Sequence, residues 1–185
     1  GFRFEGEPDP FRARARGAAA PARARIQISL EDSHTGATRQ VSLSDGRTLN
    51  VRVPKGITQG QSIRLAQQGQ RGGDLVLEVG FATHPVFGVD GRDIACTVNV
   101  APWEAALGGR IPVPTLGGAV ELNVPAGTQG GRKFRLKGRG LPGTPAGDQT
   151  VTLRIVTPTP KDDTERGAYE ALSRLFEDFD PRKVS

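Results

Sequence analysis

The sequence predicts a mostly β chain: two tandem, similar, β-sandwich-like subdomains with short helices, followed by a C-terminal helix. Three observations carry this. Short apolar/polar alternations, the signature of half-buried strands, recur between turn residues over most of the chain. Gly (25) and Pro (14) are abundant while hydrophobic residues make up only 36%, which suits many turns and modest cores better than a helical bundle. And "VPKGITQGQSIRLAQQG", from Val53, returns without a gap as "VPAGTQGGRKFRLKGRG", from Val124.

In that duplication Val53, Pro54, Gly56, Gly60, Arg64, Leu65 and Gly69 map to Val124, Pro125, Gly127, Gly131, Arg135, Leu136 and Gly140 at a constant offset of 71 residues. Gly73-Asp74 recurs as Gly147-Asp148, and "SLEDSHTG" is echoed by "PWEAALGG". The offset exceeds the ~20–50 residues of solenoid repeats, so two copies of one β subdomain are the natural unit. Pro fixes a dihedral where a strand ends and Gly opens turn conformations closed to other residues. The repeated residues are therefore residues of fold rather than of reaction chemistry.

Residues 1–24 read as a flexible linker. Phe2, Phe4 and Phe11 sit among Gly, Pro and acids with no period, and Arg12, Arg14, Arg16, Arg23 and Arg25 alternate with Ala and Pro. Such a stretch buries too little apolar surface to fold. Two readings of the basic arm stand: a solvated linker, or a contact to DNA phosphates.

The first subdomain is expected over 25–98. "RIQISL" puts Ile26, Ile28 and Leu30 on one strand face; "RQVSL" and "TLNVRV" flank Asp45-Gly46, a hairpin signal; "QSIRLA" and "DLVLEVGF" complete the set. The second, over 99–160, follows the "IACTVNV" strand. It opens with "PWEAALGG", a short helix with Pro at its start and Gly at its end, then continues through "RIPVPTL", "AVELNVP", "RKFRLKG" and "QTVTLRIV". A helix is expected over 161–180. Asp162 caps its start, Glu165 occupies the third position, and Pro181 lies just past its end. Ala168, Leu172, Leu175, Phe176 and Phe179 form one apolar face. That stripe either packs on its own domain or pairs with a copy of itself.

Reaction chemistry finds little support. His34 and His84 show neither metal spacing nor a nucleophile partner, and no P-loop or GxSxG is present. Gly138-Arg-Gly140-Leu-Pro-Gly143 fits GxGxxG, but Pro142 and Pro145 replace the helix that a dinucleotide site needs. Cys96, the single cysteine, alternates within a strand as a small buried hydrophobe. No enzyme activity, catalytic residue, metal or cofactor is expected. No apolar run approaches the ~18 residues of a membrane span, so the expected location is cytoplasmic. The chain holds no Met, as a fragment or processed chain would. Its net charge of +5 permits contact with double-stranded DNA without establishing it. In the first half, the strand through Ala24, Ile26, Ile28 and Leu30 and the one through Arg39, Val41 and Leu43 are either ordinary core or the walls of an apolar groove beside a free edge.

The strings "SLEDSHTG", "VPKGITQGQSIRLAQQGQ", "GGDLVLEV", "HPVFGVDGRD", "PWEAALGG", "VPTL", "VPAGTQGGRKFRLKGRGLP" and "FDPRK" resemble the C-terminal region of DnaJ-type co-chaperones. The variant is the one without a zinc finger, most similar to the bacterial curved DNA-binding group. The resemblance covers about residues 25–183, and residues 1–24 look like the end of a Gly/Phe-rich linker. It implies two β-rich C-terminal subdomains, a homodimer joined through the terminal helix, and non-native polypeptide held in a groove for delivery to a DnaK-type chaperone. Carried onto this chain, the groove falls on Ile26, Arg39, Val41 and Leu43, with Ala24 at its margin and Phe87 as a wall. Ala24 and Val41 replace bulkier groups common in the family, so a wider or weaker pocket is expected. The His-Pro-Asp triplet of a J-domain is absent (His84-Pro85 is followed by Val86), so this chain alone is expected not to stimulate a DnaK-type ATPase. The second implied function is nucleoid-associated binding of curved DNA, driven by phosphates and shape. Its candidate residues are the three arginines at 12, 14 and 16, then Arg132, Lys133, Arg135, Lys137, Arg139, Arg182 and Lys183.

Overall fold

The structure, a computed structural model, describes residues 21–43 and 45–183. The first half runs β1 (Ala22–Ile28), α1 (Leu30–Thr35), β2 (Ala37–Ser42), β3 (Thr48–Val53), β4 (Ser62–Leu65) and β5 (Leu75–Phe81). Then follow β6 (Gly88–Asp90), β7 (Asp93–Val100), α2 (Pro102–Leu107), β8 (Gly109–Val113) and β9 (Val120–Val124). The chain closes with β10 (Lys133–Leu136), β11 (Gln149–Ile155) and α3 (Asp163–Leu175). The mostly β architecture with a C-terminal helix is as the sequence predicts.

Each half holds a two-stranded hairpin and a larger sheet. In the first, β1 pairs parallel to β5, with Ala24 opposite Leu77 and Ile26 opposite Val79, and β4 pairs antiparallel on the other side of β5. The β2–β3 hairpin, with Val41 opposite Leu49, turns at Asp45-Gly46. Ile26, Val51, Ile63 and Leu77 anchor the buried cluster of this half. In the second, β8 and β9 form the hairpin and the larger sheet is ordered β10-β11-β7-β6.

The duplication is visible in backbone angles. Gly56 and Gly127 both hold positive φ, at 79° and 76°, and Gly60 and Gly131 both stand at 83°. A side chain at Gly56 would also strike the Pro142 carbonyl, so two separate constraints require Gly there. The Arg and Asp of the repeat meet in space. Arg64 Nε donates to Asp74 Oδ2 at 2.6 Å, and Arg135 Nε donates to Asp148 Oδ2 at 2.6 Å. The second carboxylate oxygen accepts a turn N–H in each copy, from Gln67 and from Gly138.

Two elements differ from the sequence reading. Leu30, expected on the strand face, is the first residue of α1 and fully buried. Ser29 ends the strand. Its Oγ accepts the Asp32 N–H at 3.1 Å while Asp32 Oδ2 accepts the Ser29 N–H at 3.4 Å, a reciprocal cap that starts a helix. At the other end, α3 stops at Leu175, short of the expected 180, and Pro181–Lys183 form a 3-10 turn. Asp is a poor interior helix residue and Pro181 disfavours helical geometry before it, so "EDFDP" does not prolong the helix.

By compactness the chain divides into two units. One holds the described residues up to Cys96 with Pro114–Ala119 and Arg135–Thr150; the other holds Thr97–Val113, Val120–Phe134 and the stretch from Val151. In the first unit Cys96 is buried, which pushes its thiol pKa up, and Gln149 Nε2 donates to the Pro114 carbonyl at 2.8 Å. Among the described residues no helix is long and apolar enough to cross a membrane, and no group of three or more His, Cys, Asp or Glu residues could hold a metal ion.

Candidate functional site

Alternation along β1 turns Ala22, Ala24, Ile26 and Ile28 inward and Arg23, Arg25 and Gln27 to solvent. Across from it, the end of β2 brings in Val41, and Leu43 follows as the hairpin turns. Between them lies a cleft of about 310 Å³ whose apolar lining is Ala22, Ala24, Ile26, Val41, Leu43, Leu75 and Leu77. Ile26, Leu75 and Leu77 form its buried floor, while Ala24, Val41 and Leu43 are half-buried against the core with surface left open. Four of the residues anticipated from sequence thus converge on one concavity.

Among the described residues β1 is an edge of its sheet. Ala22 N–H donates to the Asp74 carbonyl, and the Ile28 carbonyl accepts from Ala82 N–H, so the even-numbered backbone groups turn toward β5. The N–H and C=O groups of Arg23, Arg25 and Gln27 point the other way and have no backbone partner among the described residues. An unpaired ladder beside an open apolar cleft is the arrangement that accepts an added strand.

Arg39 and Phe87 stand elsewhere. Arg39, on the strand beside Val41, spends its guanidinium on Asp32, with Nε to Oδ2 at 2.6 Å and Nη2 to Oδ1 at 2.5 Å. It therefore ties the hairpin to the cap of α1. Phe87 is buried against a different cavity, formed by residues 81–89 with Leu30 and Gln59. Its ring centroid lies 4.9 Å from that of His84. His84 Nδ1 accepts the Val86 and Phe87 N–H groups, both at 3.0 Å, which leaves Nε2–H to donate to Glu31 Oε1 at 2.9 Å. The sequence offered no signal for these two local clasps, because each depends on a partner brought in by folding.

Asp32 lies nearly buried, and its carboxyl is held below its ordinary range, chiefly by the Arg39 donors and further by Ser29. A lowered folded value means that ionised Asp32 stabilises the fold above the unfolded carboxylate pKa of ~3.9, an effect lost as pH falls through the lowered value. Asp32→Asn should cost about 1–3 kcal/mol at neutral pH. Thermal melts across pH should show the gap between wild type and variant closing below about pH 4. A gap independent of pH would show that the ionised pair is not the source.

The C-terminal stripe is exposed. Leu172, Leu175, Phe176 and Phe179 retain 50%, 79%, 62% and 61% of their surface, and Ala168 is exposed too. Asp162 Oδ1 caps the helix by accepting the Glu165 N–H at 2.8 Å, and Tyr169 Oη donates to the Pro158 carbonyl at 2.7 Å. Beside the stripe, Trp103, Pro158, Pro160, Tyr169 and Leu172 line a pocket of about 480 Å³.

Of the cations anticipated to meet DNA, those at 12, 14 and 16 lie outside the described residues. Arg135 is engaged by Asp148, and Arg182 and Lys183 both reach Asp180. Arg132, Lys133, Lys137 and Arg139 are exposed and form no ion pair among the described residues. Arg132 rests over the Phe134 ring at 5.3 Å.

Comparison with known proteins agrees with the β-rich fold. The family model for the DnaJ C terminal domain matches residues 22–158. A curved DNA-binding protein of Coxiella burnetii is 43% identical over 84% of this chain and 56% of its own length. The chaperone protein DnaJ 2 of Synechocystis is 43% identical over 84% of this chain and 51% of its own. For the curved DNA-binding protein of Escherichia fergusonii the figures are 44%, 74% and 47%. The chain spans about half the length of the curated relatives it matches. With a β-rich fold, a match across both halves and relatives above 40% identity, this chain belongs to the DnaJ C-terminal domain family.

Proposed function

We propose that this chain is the client-binding, dimeric part of a co-chaperone rather than an enzyme. Residues 25–98 hold non-native polypeptide, 99–160 space two such sites, and 161–180 join two copies. The observation that carries the reading is the open cleft of about 310 Å³, apolar at its floor and polar at its rim, beside the edge of β1 that has no strand partner among the described residues. Apolar side chains of an unfolded segment enter among Ala24, Ile26, Val41 and Leu43 while its backbone pairs with the free edge. Arg39 and Phe87 support the surrounding turns. Delivery to a DnaK-type chaperone would then proceed through a J-domain outside this sequence. The direct test is suppression of aggregation of a denatured client by wild type and by Val41→Asp.

A second reading, DNA binding in a nucleoid-associated setting, is favoured by the unpaired cations of the run 132–139 and by the name that several relatives carry. No recognition helix is needed if the contacts go to phosphates. In that case affinity for duplex DNA should fall steeply with salt, with a log–log slope near −0.9 per phosphate contacted. Substituting Lys133 and Lys137 by Ser should reduce that slope by roughly 2. Affinity indifferent to salt, on curved and straight duplexes alike, removes this reading.

A further inference from the structure

We infer that two copies pair antiparallel about Leu172, each seating its Phe176 in the pocket that Trp103 and Tyr169 line in the other. The inference rests on the pairing through 161–180 proposed above, and adds its register and the surface that receives it. At roughly 100° of turn per residue, Ala168, Tyr169, Leu175 and Phe176 all lie within roughly 60° of Leu172 on α3. Phe176 follows the same spiral, since its N–H still donates to the Leu172 carbonyl. Asp163, Arg166, Glu170 and Arg174 fall on the far side of the helix. Glu165 is the one charged residue of α3 on the apolar face, and its carboxylate is engaged, Oε2 accepting the Lys161 N–H at 2.6 Å.

That face is uneven. Its first half, through Ala168, Tyr169 and Leu172, walls the pocket of about 480 Å³ opposite Trp103, Pro158 and Pro160. The Tyr169–Pro158 hydrogen bond fixes that wall, and the small side chain of Ala168 leaves the hole open. Its second half protrudes, with Leu175 and Phe176 exposed. A hole at one end and a knob at the other meet when the second helix runs the opposite way; a parallel pair sets knob against knob. With the two-fold axis at Leu172, Phe176 stands opposite the partner's Ala168, each about 6 Å along the helix from the axis. Area points the same way. A stable pair covers about 800 Å² on each partner, and the four exposed stripe side chains supply roughly 500 Å² of it. Trp103 and Leu107, one turn apart on α2 and 57% and 78% exposed, bring the surface close to what is needed.

Trp103 is the single tryptophan of the chain, so its emission reports this pocket alone. In the unaltered chain, dilution from dimer to monomer should shift that emission to the red and open it to acrylamide, with the midpoint that sedimentation gives. Ala168→Phe fills the hole from its own side at an exposed position, and should raise the dissociation constant roughly tenfold or more. Leu172→Cys, at the axis, should form a disulfide-linked dimer on oxidation, whereas Leu175→Cys, about 9 Å from its symmetry mate along the helix, should not. The native thiol, Cys96, is buried and does not compete. Three results overturn the inference and leave pairing through 161–180 standing: a dimer whose Trp103 emission matches the monomer's, a dimer indifferent to Ala168→Phe, or equal crosslinking at both cysteine positions. A chain that sediments as a monomer at every concentration overturns both.

Discussion

Val41→Asp is expected to remove most of the capacity to hold a denatured client while the protein remains folded. Val41 is half-buried, its side chain packed on the core at one side and open to the cleft on the other. In the free protein a carboxylate at that position keeps access to water, so the cost to folding is modest. In the occupied cleft it would be covered by an apolar side chain, and an ion loses hydration there without gaining a partner. The lost apolar contact and the desolvation together correspond to about 1.5–3 kcal/mol, or roughly a 10–100-fold loss of affinity. Light scattering of an aggregating client and anisotropy of a bound peptide both read this. Val41→Leu, which preserves the apolar character, should retain holding. Unchanged holding by a folded Val41→Asp protein would place the client elsewhere.

If two copies pair through the C-terminal stripe as proposed, Leu172→Asp with Phe176→Asp is expected to leave monomers. In one chain these side chains keep at least half of their surface, so the substitutions touch little of the internal packing. In a symmetric pair each acts twice. Burial of a Leu or Phe side chain contributes about 1.5–3 kcal/mol, so replacing two per chain should raise the dissociation constant by at least roughly a thousandfold. Sedimentation over a range of concentrations measures this, and a variant that still sediments as a dimer would move the interface off α3. A short peptide should bind each monomer as before. A long client that reaches two clefts should bind more weakly, because the second contact loses its effective concentration. That split separates loss of pairing from damage to the cleft.

Much of the fold was legible because its signals are local. The Asp45-Gly46 turn, the alternation of "DLVLEVGF", the Pro and Gly bounding "PWEAAL" and the cap at Asp162 each act within a few residues, and each element stands where its signal lies. Leu30 was misplaced because a short alternation reads equally as strand or as strand plus helix, and only the Ser29–Asp32 cap decides between them. The candidate cleft was half legible. Ala24, Ile26, Val41 and Leu43 were marked by resemblance and pattern, yet alternation tells which face is apolar and not whether that face is covered.

The amino-acid sequence by itself determined the duplication, the turn glycines, the apolar faces and the capped terminal helix, since these follow from dihedral preferences and side-chain periodicity along a single stretch of chain. Tertiary structure alone decided that β1 runs parallel to β5 with its other edge unpaired among the described residues, that Arg39 turns to Asp32 and Phe87 to His84, and that space remains above Leu77. The reason is physical: pairing, ion contacts and unfilled volume are properties of segments distant along the chain, and no local preference records which of them meet.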